Sequence, residues 1–396
     1  MSWSQIKLEE IVAPQKASLV SGPFGSSIGS RFFVPAGVPV IRGNNLSKGS
    51  EKFIDDGYVF LTEEKATEFP KCVAIADDLI FTAAGSIGQV GIIPKVSKFN
   101  RYIISNKQIR LRLDRSKADP LFVYYWLSSR RMVAFIESQN NGGAVPLLNL
   151  GIIRRLPVPL PDLSTQERIA GVLSAYDDLI ENNRRRIALL EQAARLLYRE
   201  WFVHFRFPGS ETTKFVDRLP EGWSIIKVEE AVTRHPPGKL FSQKTVLQSG
   251  TVPVLDQGQS GIIGYHNEQP SFSASTEDPV IVFSNHTCYQ RVIHFPFSAI
   301  QNVLPFKPSD NVPDHVYWLH HATEGLVSLN AYKGHWPEFK IKDIALPPAA
   351  LTLAFNDHAR SIHLQIYKLN QEVAKLTKAR DLLLPRLMDG RLPIPE

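Results

Sequence analysis

The stretch "ERIAGVLSAYDDLIENNRRRIALLEQAARLLYREW", residues 167–201, carries a pattern that decides the fold. Ile169, Leu173, Tyr176, Ile180, Asn183, Ile187, Leu190, Ala194, Leu197 and Trp201 follow one another at alternating steps of four and three. Only Asn183 breaks the apolar run. A stripe of this period on a helix is a coiled-coil seam, and it needs a partner to cover it. The partner is in the same chain. A shift of 186 positions lands on Phe355, Ala359, Ile362, Ile366, Leu369, Val373, Leu376, Arg380, Leu383 and Leu387, in the same rhythm. Arg380 is the polar exception in this second seam.

Both helices follow a Leu-Pro signal, "LPVPLP" at 156–161 and "ALPP" at 345–348. Ser164 and Glu167 have the spacing of a capping box for the first helix. Pro385 is expected to end or kink the second. The repeat continues into the segments in front of each helix. "WSQIKLEEIV" (3–12) matches "WSIIKVEEAV" (223–232), "VPVIRGNN" (38–45) matches "VPVLDQGQ" (252–259), and "YWLSS" (125–129) matches "YWLHH" (317–321). Such a period marks a duplicated unit. The chain divides into a first globular domain, 1–155; a long helix, 156–205; a linker, 206–219; a second globular domain, 220–345; and a second long helix, 346–396.

Two helices at equivalent places of a tandem repeat solve the same problem by packing on each other, and pseudo-twofold symmetry makes that pairing antiparallel. A helix from Ser164 to Trp201 would be about 57 Å long at 1.5 Å per residue. The seam Asn183 fits either a register device or a solvated, frayed point in mid-helix. Within the domains, "VPVIRG", "DDLIFTAA", "QVGIIP" and "KQIRLRLD" read as strands, as do "TVPVLD", "DPVIVFS", "QRVIHF" and "QNVLPF". Residues 119–139 and "DHVYWLHHATE" read as helices. The expected fold class is α+β: two pseudo-symmetric globular domains separated by two long helices that form an antiparallel coiled coil.

Composition sets the outer bounds. The chain has 396 residues, a formal charge of +6 and a pI near 9.1. A basic balance favours an anionic partner. The sequence has no apolar run of membrane-spanning length and no secretory pattern at its start. Cys72 and Cys288 are the only cysteines, so no disulfide framework is available, and a cytoplasmic location without membrane contact is expected. "SGPFGSSIGS" (21–30) lacks the Lys-Ser/Thr ending of an ATP-binding loop. "AGSIGQVG" (84–91) reads as a tight turn between strands. "HPPG" (235–238) reads as a proline turn, and "PDLSTQER" as a helix start whose acids cap. Arg184, Arg185 and Arg186 suit a solvated helix face or contact with a phosphate backbone. The eleven histidines show no metal-ligand spacing, and no catalytic constellation emerges.

The helical segments carry a resemblance. "LPVPLPDLSTQERIAGVLSAYDDLIENNRRRIALLEQAARLLYREWF" resembles the central conserved region of type I restriction–modification specificity subunits. "LTKARDLLLPRLMDGRL" (376–392) resembles the distal conserved region of that family. "SGPFGSSI", "GVPVIRGNN", "DDLIFTAAGSIGQVGI" and "LPEGWS" resemble phrases of its target-recognition domains. The second domain departs most, with "FSNHTCYQRV" where the first has "TAAGSIGQVG". The resemblance implies a non-catalytic subunit that reads a bipartite, asymmetric target on double-stranded DNA. It implies docking of two modification (methyltransferase) subunits and of restriction or translocase subunits. S-adenosylmethionine, ATP and Mg would belong to those partners, with no cofactor on this chain. A modification-only or bifunctional type II relative, or a scaffold that does not bind DNA, is the alternative.

The residues point the same way by another route. Two diverged domains at a fixed distance suit duplex DNA, whose half-sites recur about every 34 Å on one face. Cations supply phosphate contacts and polar loop residues supply base contacts. The candidates are Arg42, Asn44, Asn45, Ser86 and Lys107 in the first domain, and Asn285, His286, Arg291, Lys333 and His335 in the second. Turn formation competes with base reading at Asn44 and Asn45.

Overall fold

The computed structural model of the chain describes residues 3–47, 51–139, 147–236, 238–258, 261–329 and 333–392. The chain forms two compact units, Met1–Glu181 with Val373–Glu396, and Asn182–Glu372. Among the described residues no helix is long and apolar enough to cross a membrane.

Among its described residues unit 1 holds ten strands: β1 (Gln5–Lys7), β2 (Leu19–Ser21), β3 (Val38–Ile41), β4 (Val59–Leu61), β5 (Val73–Ala74), β6 (Leu79–Thr82), β7 (Val90–Ile92), β8 (Tyr102–Ile104), β9 (Gln108–Leu111) and β10 (Pro157–Pro159). Its short helices are α1 (Glu63–Thr67), α2 (Pro120–Leu127), α3 (Arg130–Ser138) and α4 (Leu150–Arg154). One sheet runs β2-β9-β6-β7 and the other β4-β3-β8-β5. Strands β3, β6, β8 and β9 are buried throughout; β3, β6 and β8 accordingly read as largely apolar runs, whereas β9 alternates and buries Gln108 and Arg110. The stretch 119–139, expected as one helix, is two. Ser129 accepts a hydrogen bond from the Met132 amide and so starts α3 afresh.

A long helix, α5 (Leu163–Tyr198), begins in unit 1 and continues into unit 2. Unit 2 repeats the plan of unit 1. A small hairpin of β11 (Phe215–Val216) and β12 (Leu219–Pro220) occupies the expected linker. Then come β13 (Ser224–Lys227), α6 (Val228–Ala231), β14 (Val232–Arg234), β15 (Leu240–Phe241), β16 (Val252–Leu255), β17 (Ile262–His266), β18 (Val280–Ser284), β19 (Gln290–Ile293), β20 (Ser298–Ile300), β21 (Val303–Pro308), α7 (Val316–Thr323), α8 (Trp336–Lys340) and β22 (Asp343–Leu346). The order β14-β21-β18-β19 copies β2-β9-β6-β7 strand for strand. The second sheets, β4-β3-β8-β5 and β15-β20-β16-β17, share a parallel central pair, β3 with β8 and β16 with β20. Their fourth strands differ. β5 runs antiparallel to β8, whereas β15 runs parallel to β20.

The final helix, α9 (Ala349–Met388), pairs with α5 inside each unit. In unit 1, Ile169, Ala170 and Leu173 share a core with Leu387 and Met388, and Arg380 meets Asp177 at 2.7 Å. In unit 2, Asn183 donates to Glu372 at 3.2 Å, and Trp201 and Phe202 pack on Phe355. Sequence numbers rise on α5 as they fall on α9, so the pairing is antiparallel. Every seam residue from Ile169 to Trp201 and from Phe355 to Leu387 is buried or half-buried. Each fully covered Leu or Phe contributes about 1.5–3 kcal/mol relative to exposure.

Two end signals resolve differently from expectation. Asp162, not Ser164, caps α5, because its carboxylate accepts the Thr165 amide at 2.9 Å. Pro385 lies inside α9 without ending it; the helix runs one more turn to Met388, and the Asp389 amide still bonds the Pro385 carbonyl. A proline this close to the C-terminus forfeits one backbone hydrogen bond and leaves the rest of the ladder intact. Arg184, Arg185 and Arg186 are exposed.

Candidate nucleic-acid interface

In unit 1 three connections converge: the turn after β3 (Arg42–Asn45), the β6–β7 turn (83–89) and the β8–β9 corner (105–107). They enclose a cavity of about 450 Å³. Arg42, Ser86 and Lys107, three of the five residues predicted from sequence, line it. The tight-turn reading of "AGSIGQVG" holds, since Gly85 and Gly88 both adopt positive φ, at 91° and 89°.

The two asparagines behave otherwise. Asn44 is exposed and gives its amide to the Gly57 carbonyl at 3.1 Å. Asn45 is fully buried. Its Oδ1 accepts the Arg42 amide at 2.9 Å, and its Nδ2 donates to the carbonyls of Ile54 and Asp56 at 3.0 and 2.7 Å. Asn45 therefore pegs the loop that presents Arg42, and its polar atoms do not face outward.

Donors dominate the cavity. Among the described residues no acceptor reaches Arg42 Nε or Gln108 Nε2, although both atoms are buried. Gln108 Oε1 already accepts from the Ser105 hydroxyl. Gln89 is fully engaged, with Thr82 at 2.8 Å and the Leu46 carbonyl at 3.0 Å. An unmatched buried donor costs about 1–3 kcal/mol. A cavity with two of them and the Lys107 ammonium at its edge fits a ligand rich in acceptors. Phosphate oxygens and purine O6 and N7 are such acceptors.

"SGPFGSSIGS" forms part of the wall. A Cβ on Gly22 would lie 1.9 Å from the Ser105 carbonyl oxygen, so only glycine allows this approach to the β8–β9 corner. Ile28 and Phe33 line the cavity from this side, and Phe24 stands 87% exposed beside it in the chain. Gln108, which lines the cavity, and Phe24, exposed next to it in the chain, are candidates that sequence reasoning missed. A glutamine opening a strand carries no signal of its own, whereas the phenylalanine between glycines could have been marked.

Unit 2 builds the same corner differently. The Asn285 amide hydrogen bonds the Asn302 carbonyl at 2.8 Å, and its Oδ1 and carbonyl oxygen accept the amides of Trp336 and His335, each at 2.8 Å. His286 gives its amide to Gln257 at 2.8 Å. His335 is fully buried, with Nδ1 3.7 Å from Glu338, and Lys333 is exposed, 3.6 Å from the same carboxylate. Arg291 donates to the carbonyls of Asp256 and Gly261 at 3.1 and 3.0 Å and thereby ties down the loop after β16. Burial moves its guanidinium below the ordinary arginine range. Four predicted residues, Asn285, His286, Lys333 and His335, thus come together, while Arg291 braces an adjacent loop. Asn285, Arg291 and His335 are bracing residues; His286 is half-buried and Lys333 is exposed. A second cavity of about 250 Å³ opens where β20 meets β21, at the repeat counterpart of the β8–β9 corner. Arg234, Lys239 and Asn302 line it.

The family model of the type I restriction modification DNA specificity domain matches residues 32–192. The type I restriction enzyme MjaIX specificity subunit of Methanocaldococcus jannaschii is 24% identical over 392 residues, covering 91% of this chain and 88% of that one. The EcoBI specificity subunit of Escherichia coli is 28% identical over 152 residues, 35% of this chain and 31% of its own. The crystal structure of a type I S subunit from M. genitalium shares the fold, with a TM-score of 0.62 at 15% identity over 100% of this chain and 97% of that one. Residues 32–192 match the type I specificity-domain family, and the relatives that this chain resembles along its length are type I specificity subunits. The family match runs from the β2–β3 connection of this chain into α5, so it takes in the lining of the donor-rich cavity apart from Ile28. Beyond residue 192 the second unit lies outside that match and is reached by the full-length relative.

Proposed function

We propose that this specificity subunit reads double-stranded DNA at a bipartite, asymmetric target, one half-site per unit. The reading is carried by one observation. The same corner of two repeated folds holds cation-bearing loops and a cavity, yet the residues that build them differ. A repeated scaffold with diverged loops is what two unlike half-sites require. In this reading the specificity subunit performs no chemistry. Two modification subunits bound to it would methylate adenine from S-adenosylmethionine, and restriction subunits would contribute ATP- and Mg-dependent translocation and cleavage. The paired segments of α5 and α9 would set the spacer, and the loop residues Arg42, Ser86, Lys107, His286 and Lys333 would meet the DNA.

The test is methylome sequencing of cells that express the complex with its modification subunits. One split motif with a fixed spacer is expected. Replacing residues 83–89 by another loop should change only one half of that motif. Removing one heptad from each long helix, about 10 Å of rise, should alter the spacer and keep both halves. Methylation without any sequence motif would overturn the reading.

A further inference from the structure

Helix α7 and the first part of α9 meet within unit 2, and three imidazoles meet between them. His320 and His321 belong to α7, and His363 to α9. Each ring brings one nitrogen to within 4.8 Å of the other two. The Nε2 atoms of His321 and His363 are 3.0 Å apart. Ring centroids lie 4.8 Å apart for His320 with His321 and 5.4 Å for His320 with His363.

The surroundings prepare lone pairs. Burial drives His320 and His363 well below the usual imidazole range, so both stay neutral at neutral pH, the state in which imidazole ligates a metal. Nδ1 of His321 is 3.4 Å from the Glu324 carboxylate, which Arg195 also holds at 3.2 Å. A carboxylate behind an imidazole keeps the proton on the near nitrogen and turns the far lone pair toward an ion. The Gln290 amide nitrogen, 3.0 Å from His320 Nδ1, has oxygen acceptors for both hydrogens in the His320 carbonyl and the Thr323 hydroxyl, each at 2.9 Å. The two amide hydrogens are thus shared among three acceptors, of which His320 Nδ1 is one. Packing alone does not ask for this cluster. In unit 1 the matching positions are Ser128, Ser129 and Asp177.

We propose that His320, His321 and His363 bind a zinc-class divalent cation that clips α7 to α9, with a fourth position left to water. Two imidazoles on a tetrahedral ion, at about 2.0–2.1 Å each, have nitrogens about 3.3 Å apart. His321 and His363 part by a few tenths of an ångström to reach that spacing, and His320 closes in. The proton shared by the 3.0 Å pair moves to Nδ1 of His363.

The experiment uses the full chain, purified without a histidine tag and stripped with a chelator. Zinc and, separately, cobalt(II) are titrated in. One ion per chain is expected, with a tetrahedral cobalt spectrum and a higher Tm. His321→Gln and His363→Gln should each weaken binding by about 100-fold or more, and Glu324→Gln by about 10–100-fold. X-ray absorption on zinc-loaded wild type keeps the test independent of whether those variants fold: three imidazoles at about 2.0–2.1 Å are expected. No stoichiometric binding, fewer than two imidazoles, or unchanged affinity in folded His363→Gln would each overturn the proposal.

Discussion

Tyr125 in unit 1 and Tyr317 in unit 2 hold the same place in the repeated phrases "YWLSS" and "YWLHH", yet each buries neighbours of an opposite kind. Tyr125 donates its hydroxyl to Asp177 at 2.6 Å. Asp177 also takes Arg380 at 2.7 Å and Lys52 at 3.6 Å. Burial and the nearby carboxylate raise the Tyr125 pKa, which keeps it a donor. Tyr317 instead meets His294 at 3.0 Å, and its ring lies 5.0 Å from His363, the residue 186 positions beyond Asp177. One unit joins its domain helix to the long helices through buried charges, the other through neutral imidazoles. The apolar pattern fixes the backbone at both joints and leaves the polar chemistry free to diverge, provided every buried group finds a partner.

The largest effect should come from breaking the charged joint. Arg380→Ala leaves Asp177 buried with Lys52 and Tyr125 alone. Loss of one member of a buried pair costs about 3–5 kcal/mol, and unit 1 should lose stability on that scale. Denaturant titration followed by hydrogen exchange resolved along the chain would measure it. Replacing Asp177 and Arg380 together by leucines should cost far less, because no charge is stranded. Equal losses in the single and double variants would mean that packing, not charge, holds this joint.

Acid should then sharpen the contrast. All eleven histidines lie between residues 204 and 363, inside unit 2. Burial depresses His294 to about 4, and it pushes His320 and His363 down as well. A lowered imidazole pKa stabilises the fold above about pH 6.5, and the stability is lost as pH falls toward the folded value, because the unfolded chain takes up the proton first. At pH 5, His294 alone should withdraw about 2 kcal/mol from unit 2, with His320 and His363 acting in the same direction. Exchange rates in unit 1 should move much less between pH 7.5 and 5. A loss of equal size in unit 1 would remove the histidines as the cause.

The two corners differ in how openly they offer donors, and DNA binding should report it. Arg42→Ala and Gln108→Ala, assayed with the modification subunits present, should each reduce discrimination at one base or weaken one phosphate contact by about 1–3 kcal/mol. Lys107→Ala should weaken all sequences alike and lower the log–log salt slope by about 1. Asn285→Ala should act differently, through loop disorder, since Asn285 clamps the backbone before α8. Competition binding at several salt concentrations separates these outcomes.

These contrasts also show what could be read from the residues. A seam needs only periodicity, so Ile169 to Trp201 and Phe355 to Leu387 were legible, as was the antiparallel pairing that follows from duplication. Single-residue chemistry was less so. Asp162 and Ser164 are both good caps two positions apart, and only the backbone geometry chooses between them. Asn44 and Asn45 are adjacent and alike, yet one is exposed and the other is the buried peg of the turn. Gln108 and the three imidazoles depend on neighbours distant in sequence, so no local pattern could announce them.

The smallest effect belongs to the polar seam positions. Asn183 is buried on α5, and its Nδ2 donates to Glu372 on α9 at 3.2 Å; 186 positions on, the seam carries Leu369 instead. Replacing Asn183 by leucine removes a buried amide and its hydrogen bond to Glu372 but adds apolar contact, so the two terms nearly cancel and stability should change by less than about 1 kcal/mol. Register should respond more than stability, because leucine packs tolerably against several neighbours, whereas the amide is satisfied only opposite an acceptor. Cysteine pairs engineered at facing seam positions would read this directly, since cross-linking falls steeply when Cα atoms are more than about 7 Å apart. A leucine variant should cross-link both in register and one heptad away, and wild type only in register. Cross-linking confined to the native register in both would leave Asn183 as a tolerated polar residue and pass the duty of setting register to the Asp177–Arg380 pair.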